Sequence, residues 1–446
     1  MKPETQGPEL LRASLDRLDW SPERLAREIN RIAGPDSVSA KAPYGWIKGS
    51  VPRGRLPQLA ALALSRALGE HITASQLWPA SRAGGIAVTA HYGLDLPWNT
   101  AGAYRCAHMV TEPTIPTLLP VTGAIAVTPV MDWLTAPASD LPQRSDGEPI
   151  SPEVLTILTE RIAQLRRLDD LQSGSLLLDW ITGDLRWVAK LACTGSYDAV
   201  TGAWLYRILG ELAQLGGWVA TDVGQRALGQ RLLLAALHFA HTAGDRDLAA
   251  NIVSCLSYLA LWMGVPDDAV RLIRMARQGV GAEASSVVIA LLASREARAH
   301  AVRGDAAACA VSIDAAAAAF AEPTEATPPW AYWVTEAVLA ADAGRAWLEA
   351  GVPHRAEPLL ERGLELFGDE QPRNRLLHGI SLAHARLAMH DVSGGVDAAE
   401  AALELLSTFD SARARSRLSE LHTTLVSTGA TETDRIVQRI SDLVHT

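Results

Sequence analysis

The sequence predicts an all-α protein with an N-terminal helix-turn-helix domain, a connector and an α-solenoid of helical hairpins. Three observations predict it. From Ser151 nearly to the end, apolar residues recur at helical spacing. Glycines break that pattern in similar contexts at Gly224, Gly264, Gly304 and Gly351, at intervals of 40, 40 and 47 residues. The stretch Ser39–Arg55 carries Lys41, Lys48, Arg53 and Arg55 and no acid, in a chain of net charge −10. A fixed repeat period implies stacked units, and a basic island on an acidic chain implies a polyanionic partner.

The basic character is local. Residues 1–80 hold 11 Lys and Arg against 8 Asp and Glu, while the remainder holds 29 against 42. The first helix is expected over Glu9–Leu18. Ser21-Pro22-Glu23 then supplies an N-cap, a residue preset for the first helical position and an acid in the first turn. Leu25, Ala26, Ile29 and Ile32 form its apolar stripe, which Gly34-Pro35-Asp36 ends. Ser39 is expected to cap a short basic helix carrying Tyr44, Trp46 and Lys48, with Gly49 as its stop. A further helix is expected from Leu56 to Leu68, and one more turn at Thr73–Trp78.

The segments LAREINR, SAKAPYGWIKG and LPQLAALALSRALG resemble a lambda-repressor-like (XRE-type) helix-turn-helix domain. Trp46 and Gly49 fill its W-x-x-G, and Leu68-Gly69 closes the later helix. PYGWIKGSVPR, LSRALG and TASQLWP are similar to a subset found in actinomycete regulators. The linker INRIAGPDSVS is longer than the tight turn usual for the family. The resemblance implies double-stranded DNA, an operator, as the partner. Lys41 would reach a base edge or a phosphate, Tyr44 a phosphate or a thymine methyl, and Ser39 a phosphate. Lys48, Arg53 and Arg55 would clamp the backbone, with Trp46 packed beneath the helix.

Domains are expected at 1–82, 83–150 and 151–446. The middle segment is rich in Gly, Pro and Thr and reads as a partly ordered connector, with a short helix near Thr100–Val110. Val121–Trp133 is too apolar to hang in water and should pack on the next domain; a purely flexible linker is the alternative. No membrane span is expected, and the four dispersed cysteines suit a cytoplasmic, nucleoid-associated protein with reduced thiols.

After each glycine break comes a second helix, so each pair forms a hairpin that buries its apolar face only against neighbours. A weaker fifth copy reaches Asp391. AGVPHRAEPLLERGLEL resembles a tetratricopeptide repeat, although the period exceeds that family's; HEAT-like stacking is the alternative. Ser151–Lys190 precedes the first regular repeat, and SARARSRLSELHTTL and TETDRIVQRISDLV serve as capping helices.

Such arrays present a concave surface and bind more often than they catalyse. Trp218, Tyr258, Trp262, Trp330 and Trp333 are the aromatic candidates for an effector groove, with Arg295 and Arg298 one helical step apart. Aromatics in stacked helices more often serve the core. His238 and His241 share an i, i+3 relation without a third ligand. Asp169-Asp170 and Asp267-Asp268 are explained by capping and the helix dipole. No GxxxxGK[ST], HExxH, GxSxG or GxGxxG is present. No catalytic residue, metal or cofactor is therefore expected. The two resemblances together imply a homodimeric transcription factor whose array dimerises, holds a small-molecule or peptide effector, or both. A scaffold capturing a partner protein is the alternative.

Overall fold

A computed structural model describes residues 8–33, 37–52, 56–68, 72, 77–78, 96–111, 120–171, 174–281, 283–322, 327–369, 371–405 and 412–444. Within these residues the chain is all-helical, and its β-structure is two isolated bridges, Arg144 with Tyr197 and Pro149 with Ser196.

Four helices share the N-terminal core: α1 (Pro8–Arg17), α2 (Pro22–Ala33), α3 (Ala42–Ile47) and α4 (Leu56–Leu68). The Ser21 Oγ accepts from the Arg24 N–H at 3.3 Å, as the N-cap chemistry requires. Leu25, Ala26 and Ile29 are buried. The turn after α2 is pinned by Asn30, whose side-chain amide exchanges two 2.9 Å hydrogen bonds with the backbone of Val38.

The expected Ser39 cap is corrected. Lys41 occupies the N-cap position of α3 without a side-chain cap bond, and Ser39 contributes only its carbonyl, which accepts from Ala42 N–H at 3.1 Å. The start of α3 is fixed instead by Ala42-Pro43, with proline preset for the first turn. Gly49 ends it at φ +101°, and Ser50 N–H closes on the Gly45 carbonyl at 3.0 Å. Trp46 is buried edge-on to Trp78, 6.1 Å between centroids. Thr73–Gln76, most of the expected extra turn, lie outside the described residues.

The connector contributes α5 (Thr100–Thr111) and α6 (Ala124–Thr135). Both join the core of the following array through Ala103, Cys106, Val127, Val130 and Trp133. Trp98, just before α5, stacks on His238 at 3.8 Å and 8° and lies edge-on to His241. The histidine pair is thus a packing surface for the connector.

The array then runs α7 (Pro152–Leu171), α8 (Ser175–Thr194), α9 (Ala199–Asp222), α10 (Arg226–Thr242), α11 (Arg246–Trp262), α12 (Pro266–Gly279), α13 (Ser286–Val302), α14 (Ala306–Ala321), α15 (Glu336–Glu349), α16 (Pro353–Leu366), α17 (Pro372–Ala388) and α18 (Val392–Leu403). It closes with α19 (Ala412–Thr428) and α20 (Asp434–Val444). Consecutive helices from α9 pair as hairpins: α9/α10, α11/α12, α13/α14, α15/α16 and α17/α18. The four spaced glycines all adopt left-handed φ, from +73° to +88°. After each, the next N–H reaches back five residues to a helical carbonyl, as Asp305 does to His300 at 2.9 Å. Gly244, at φ +72°, makes the same stop between hairpins. At the fifth break the left-handed residue is His390, at φ +64°.

Candidate functional site

The first helices of successive hairpins stand side by side and curve around one cavity. Gln214 and Trp218 come from α9, Cys255 and Tyr258 from α11, Arg295 from α13, Asp342 and Arg345 from α15, Arg373, Leu377 and His378 from α17, and Arg413 from α19. Trp330, Tyr332 and Trp333 enter from the Pro/aromatic insertion before α15. Arg166, Asp169 and Asp170 enter from α7, at the opposite end of the array. The cavity has a volume of about 140 Å³ and opens to solvent on one side.

Five of the seven residues expected at an effector groove line this cavity: Trp218, Tyr258, Arg295, Trp330 and Trp333. The other two stand one layer behind. Trp262 packs on Tyr258 at 5.8 Å. Arg298 is 6% exposed and donates to Glu349 at 3.0 and 3.2 Å, with its guanidinium carbon 4.4 Å from the Tyr258 ring centre.

The reading of Asp169-Asp170 as capping acids is corrected. They lie at the C-terminal end of α7, where the helix dipole disfavours carboxylates. Asp169 instead accepts from Arg373 at 3.1 Å, and Asp170 accepts from the Tyr332 hydroxyl. Burial raises the Asp170 pKa, with the Tyr332 hydrogen bond opposing it. Asp267-Asp268 do occupy the first turn of α12, and Asp268 also accepts from Gly123 N–H of the connector at 2.5 Å.

Guanidiniums share carboxylates around the cavity. Glu349 serves Arg298 and Arg345, both at 3.0 Å. Asp222 serves Arg413 at 3.0 Å and Arg373 at 3.9 Å. Burial pushes the Glu349 carboxyl up, but the two arginines outweigh it and hold it at about 2. Burial also pushes the Tyr258 phenol up, and Arg298, Arg345, Arg413 and Arg295 together hold it well below its ordinary range. That phenol accepts from Arg345 at 3.2 Å. Of these, Arg345, Arg373, Arg413, Asp222 and Glu349 were not singled out from the sequence. The signal available was an arginine-rich inner row, with Arg295, Arg345, Arg373 and Arg413 each on the first helix of a hairpin or on α19.

In the N-terminal unit, Ser39, Lys41 and Lys48 are exposed. Tyr44 is 43% exposed, and its hydroxyl donates to Glu23 of α2, which orients the ring across the α2–α3 face. That hydrogen bond lowers the Glu23 pKa. Arg53 and Arg55 lie outside the described residues.

Among the described residues, no group of three or more His, Cys, Asp or Glu side chains is placed to hold a metal ion. No helix among them is long and apolar enough to cross a membrane. Residues 11–77 match a family described as the SP15 N-terminal domain. No curated protein matches the chain.

Proposed function

We propose that the chain is a sequence-specific, DNA-binding transcriptional regulator whose helical array senses a small-molecule or peptide effector. Residues 1–82 are read as a lambda-repressor-like reader domain, with α2 and α3 as its helix-turn-helix, and 151–446 as a tetratricopeptide-like array. The protein acts as a homodimer in the cytoplasm, associated with the nucleoid, on genes of secondary metabolism or development.

The observation that carries this reading is the position of α6. Ile125 packs on the N-terminal core, while Val127, Val130 and Trp133 of the same helix belong to the core of the array. Either side of Trp133 the contact is tight. A Cβ added to Gly279 of α12 would meet the indole at 2.2 Å, and the Arg246 guanidinium lies 5.6 Å from its ring centre. Val121, two residues ahead of Gly123, exchanges two 2.8 Å hydrogen bonds with the Gln230 amide. One helix, α6, therefore touches both units. A ligand that binds one curvature of the array better than another shifts the population of that curvature. Through α6 the shift moves the N-terminal unit, and with it the spacing of two readers against half-sites about one helical turn apart.

Selection from a pool of random duplexes by the full chain tests the reading. Enrichment of a palindromic site of fixed spacing supports it. Recovery of duplexes without a common sequence, at every salt concentration, overturns it.

A further inference from the structure

We infer that the cavity of the array takes a small organic anion carrying a flat aromatic group, with its carboxylate or equivalent oxyanion seated on Arg295. This rests on the effector-sensing reading and specifies its ligand.

Arg295 differs from the other arginines of the wall. Its guanidinium carbon sits 4.6 Å from the Tyr258 ring centre, 5.6 Å from Trp333 and 5.8 Å from Trp218. Ring contacts of this kind engage the faces of a guanidinium, whereas its N–H donors lie in the plane and point from the edge. Among the described residues those donors have no hydrogen-bond acceptor and no carboxylate within ion-pair range. Arg345, Arg373 and Arg413 line the same cavity and each has a carboxylate partner. The open edge of Arg295 thus offers a fork matched to a planar oxyanion.

The polarity of the ligand follows from what the cage already holds. Aromatic cages capture cations, and this one is occupied by the protein's own cation. A second cation would meet Arg295 directly. The wall acids do not reverse this. Asp169 pairs with Arg373, Asp170 is engaged by Tyr332, and Asp342, beside the neutral His378 imidazole at 4.0 Å, shares the wall with Arg295, Arg345, Arg373 and Arg413. The four guanidiniums that lower the Tyr258 phenol report a positive field at the same end of the cavity. The rest of the ligand is specified by the aromatic wall, in which Trp218 and Trp333 are half-buried and Trp330 is buried.

Three matched probes test this by titration calorimetry on the full chain: 2-naphthoate, neutral 2-naphthamide and 2-naphthylmethylammonium. We expect naphthoate to saturate one site per chain and to bind at least ten-fold more tightly than the amide, with the ammonium weakest. Arg295→Gln should lower naphthoate affinity ten-fold or more and leave naphthamide within two-fold. Trp333→Leu should weaken both. Equal affinity for naphthoate and naphthamide, a preference for the ammonium, or no saturable binding of naphthoate overturns the inference. The ranking on the unsubstituted chain decides the matter even where a variant fails to fold. Duplex binding by the same preparation is read separately. Naphthoate binding without duplex binding would leave the cavity assignment standing and remove the regulator.

Discussion

Arg373 of α17 donates to the carboxylate of Asp169 on α7 at 3.1 Å, across 204 residues of chain, and both side chains are nine-tenths buried. The two ends of the array meet there. Arg373 also donates to the Asp169 carbonyl at 3.2 Å. Arg413 reinforces the closure by pairing with Asp222 at the end of α9. A row of hairpins that would otherwise form an open arc is thereby drawn around a cavity.

Removing one partner of a buried pair strands the other charge. Arg373→Met is therefore expected to destabilise the chain by about 3–5 kcal/mol. Adding Asp169→Asn should recover part of the loss, because the stranded carboxylate is removed as well. Urea unfolding followed by tryptophan fluorescence checks both variants. A shift in midpoint no larger than that of an exposed pair such as Arg362–Glu336 contradicts a closing role.

The same region predicts sensitivity to acid. Burial holds His378 at about 3 and His384 at about 4, against an ordinary 6.5. The unfolded chain takes up those protons as pH falls below 6.5 and the folded chain does not, so stability declines from there toward pH 3 to 4. Glu349, held at about 2 against 4.5, adds a contribution that is complete above 4.5 and lost as pH falls toward 2. Both effects have one sign. The urea midpoint should fall continuously as pH is lowered from neutrality, with His378→Gln flattening the upper part of the curve. A flat profile down to pH 4.5 contradicts the burial of these groups as neutral imidazoles.

What the sequence made legible follows the range of each interaction. Helical period and the Gly224, Gly264, Gly304 and Gly351 stops are local, and they located the hairpins. Once hairpins are in phase, their first helices share a face. That is why Trp218, Tyr258 and Arg295 could be grouped before any contact was known. The Asp169–Arg373 and Asp170–Tyr332 contacts exist only because the array closes, and no local pattern encodes that. Trp98 on His238 is another contact made across a connector whose path has no periodic signature. Ser39 misled for a different reason. A serine before a short helix reads as a cap, but Pro43 sets the helix start two residues past the reach of its side chain.

His390 predicts a gain. It is exposed and held at φ +64°, where each earlier repeat has glycine. A left-handed conformation costs a side-chain-bearing residue about 1–2 kcal/mol, and glycine gives back part of that through backbone entropy. His390→Gly should stabilise the array by about 0.5–1 kcal/mol, read as a higher thermal midpoint. Loss of stability would show that the imidazole is engaged at that turn.

The most direct test is of the exposed basic face. The duplex enriched by the full chain should be titrated with the unsubstituted chain and with Lys41→Ala/Lys48→Ala by fluorescence anisotropy at several salt concentrations. Each lysine should contribute about 1–3 kcal/mol to binding, and the double variant should show a shallower salt dependence. Equal affinity and equal salt dependence for the two proteins would contradict DNA reading by this face.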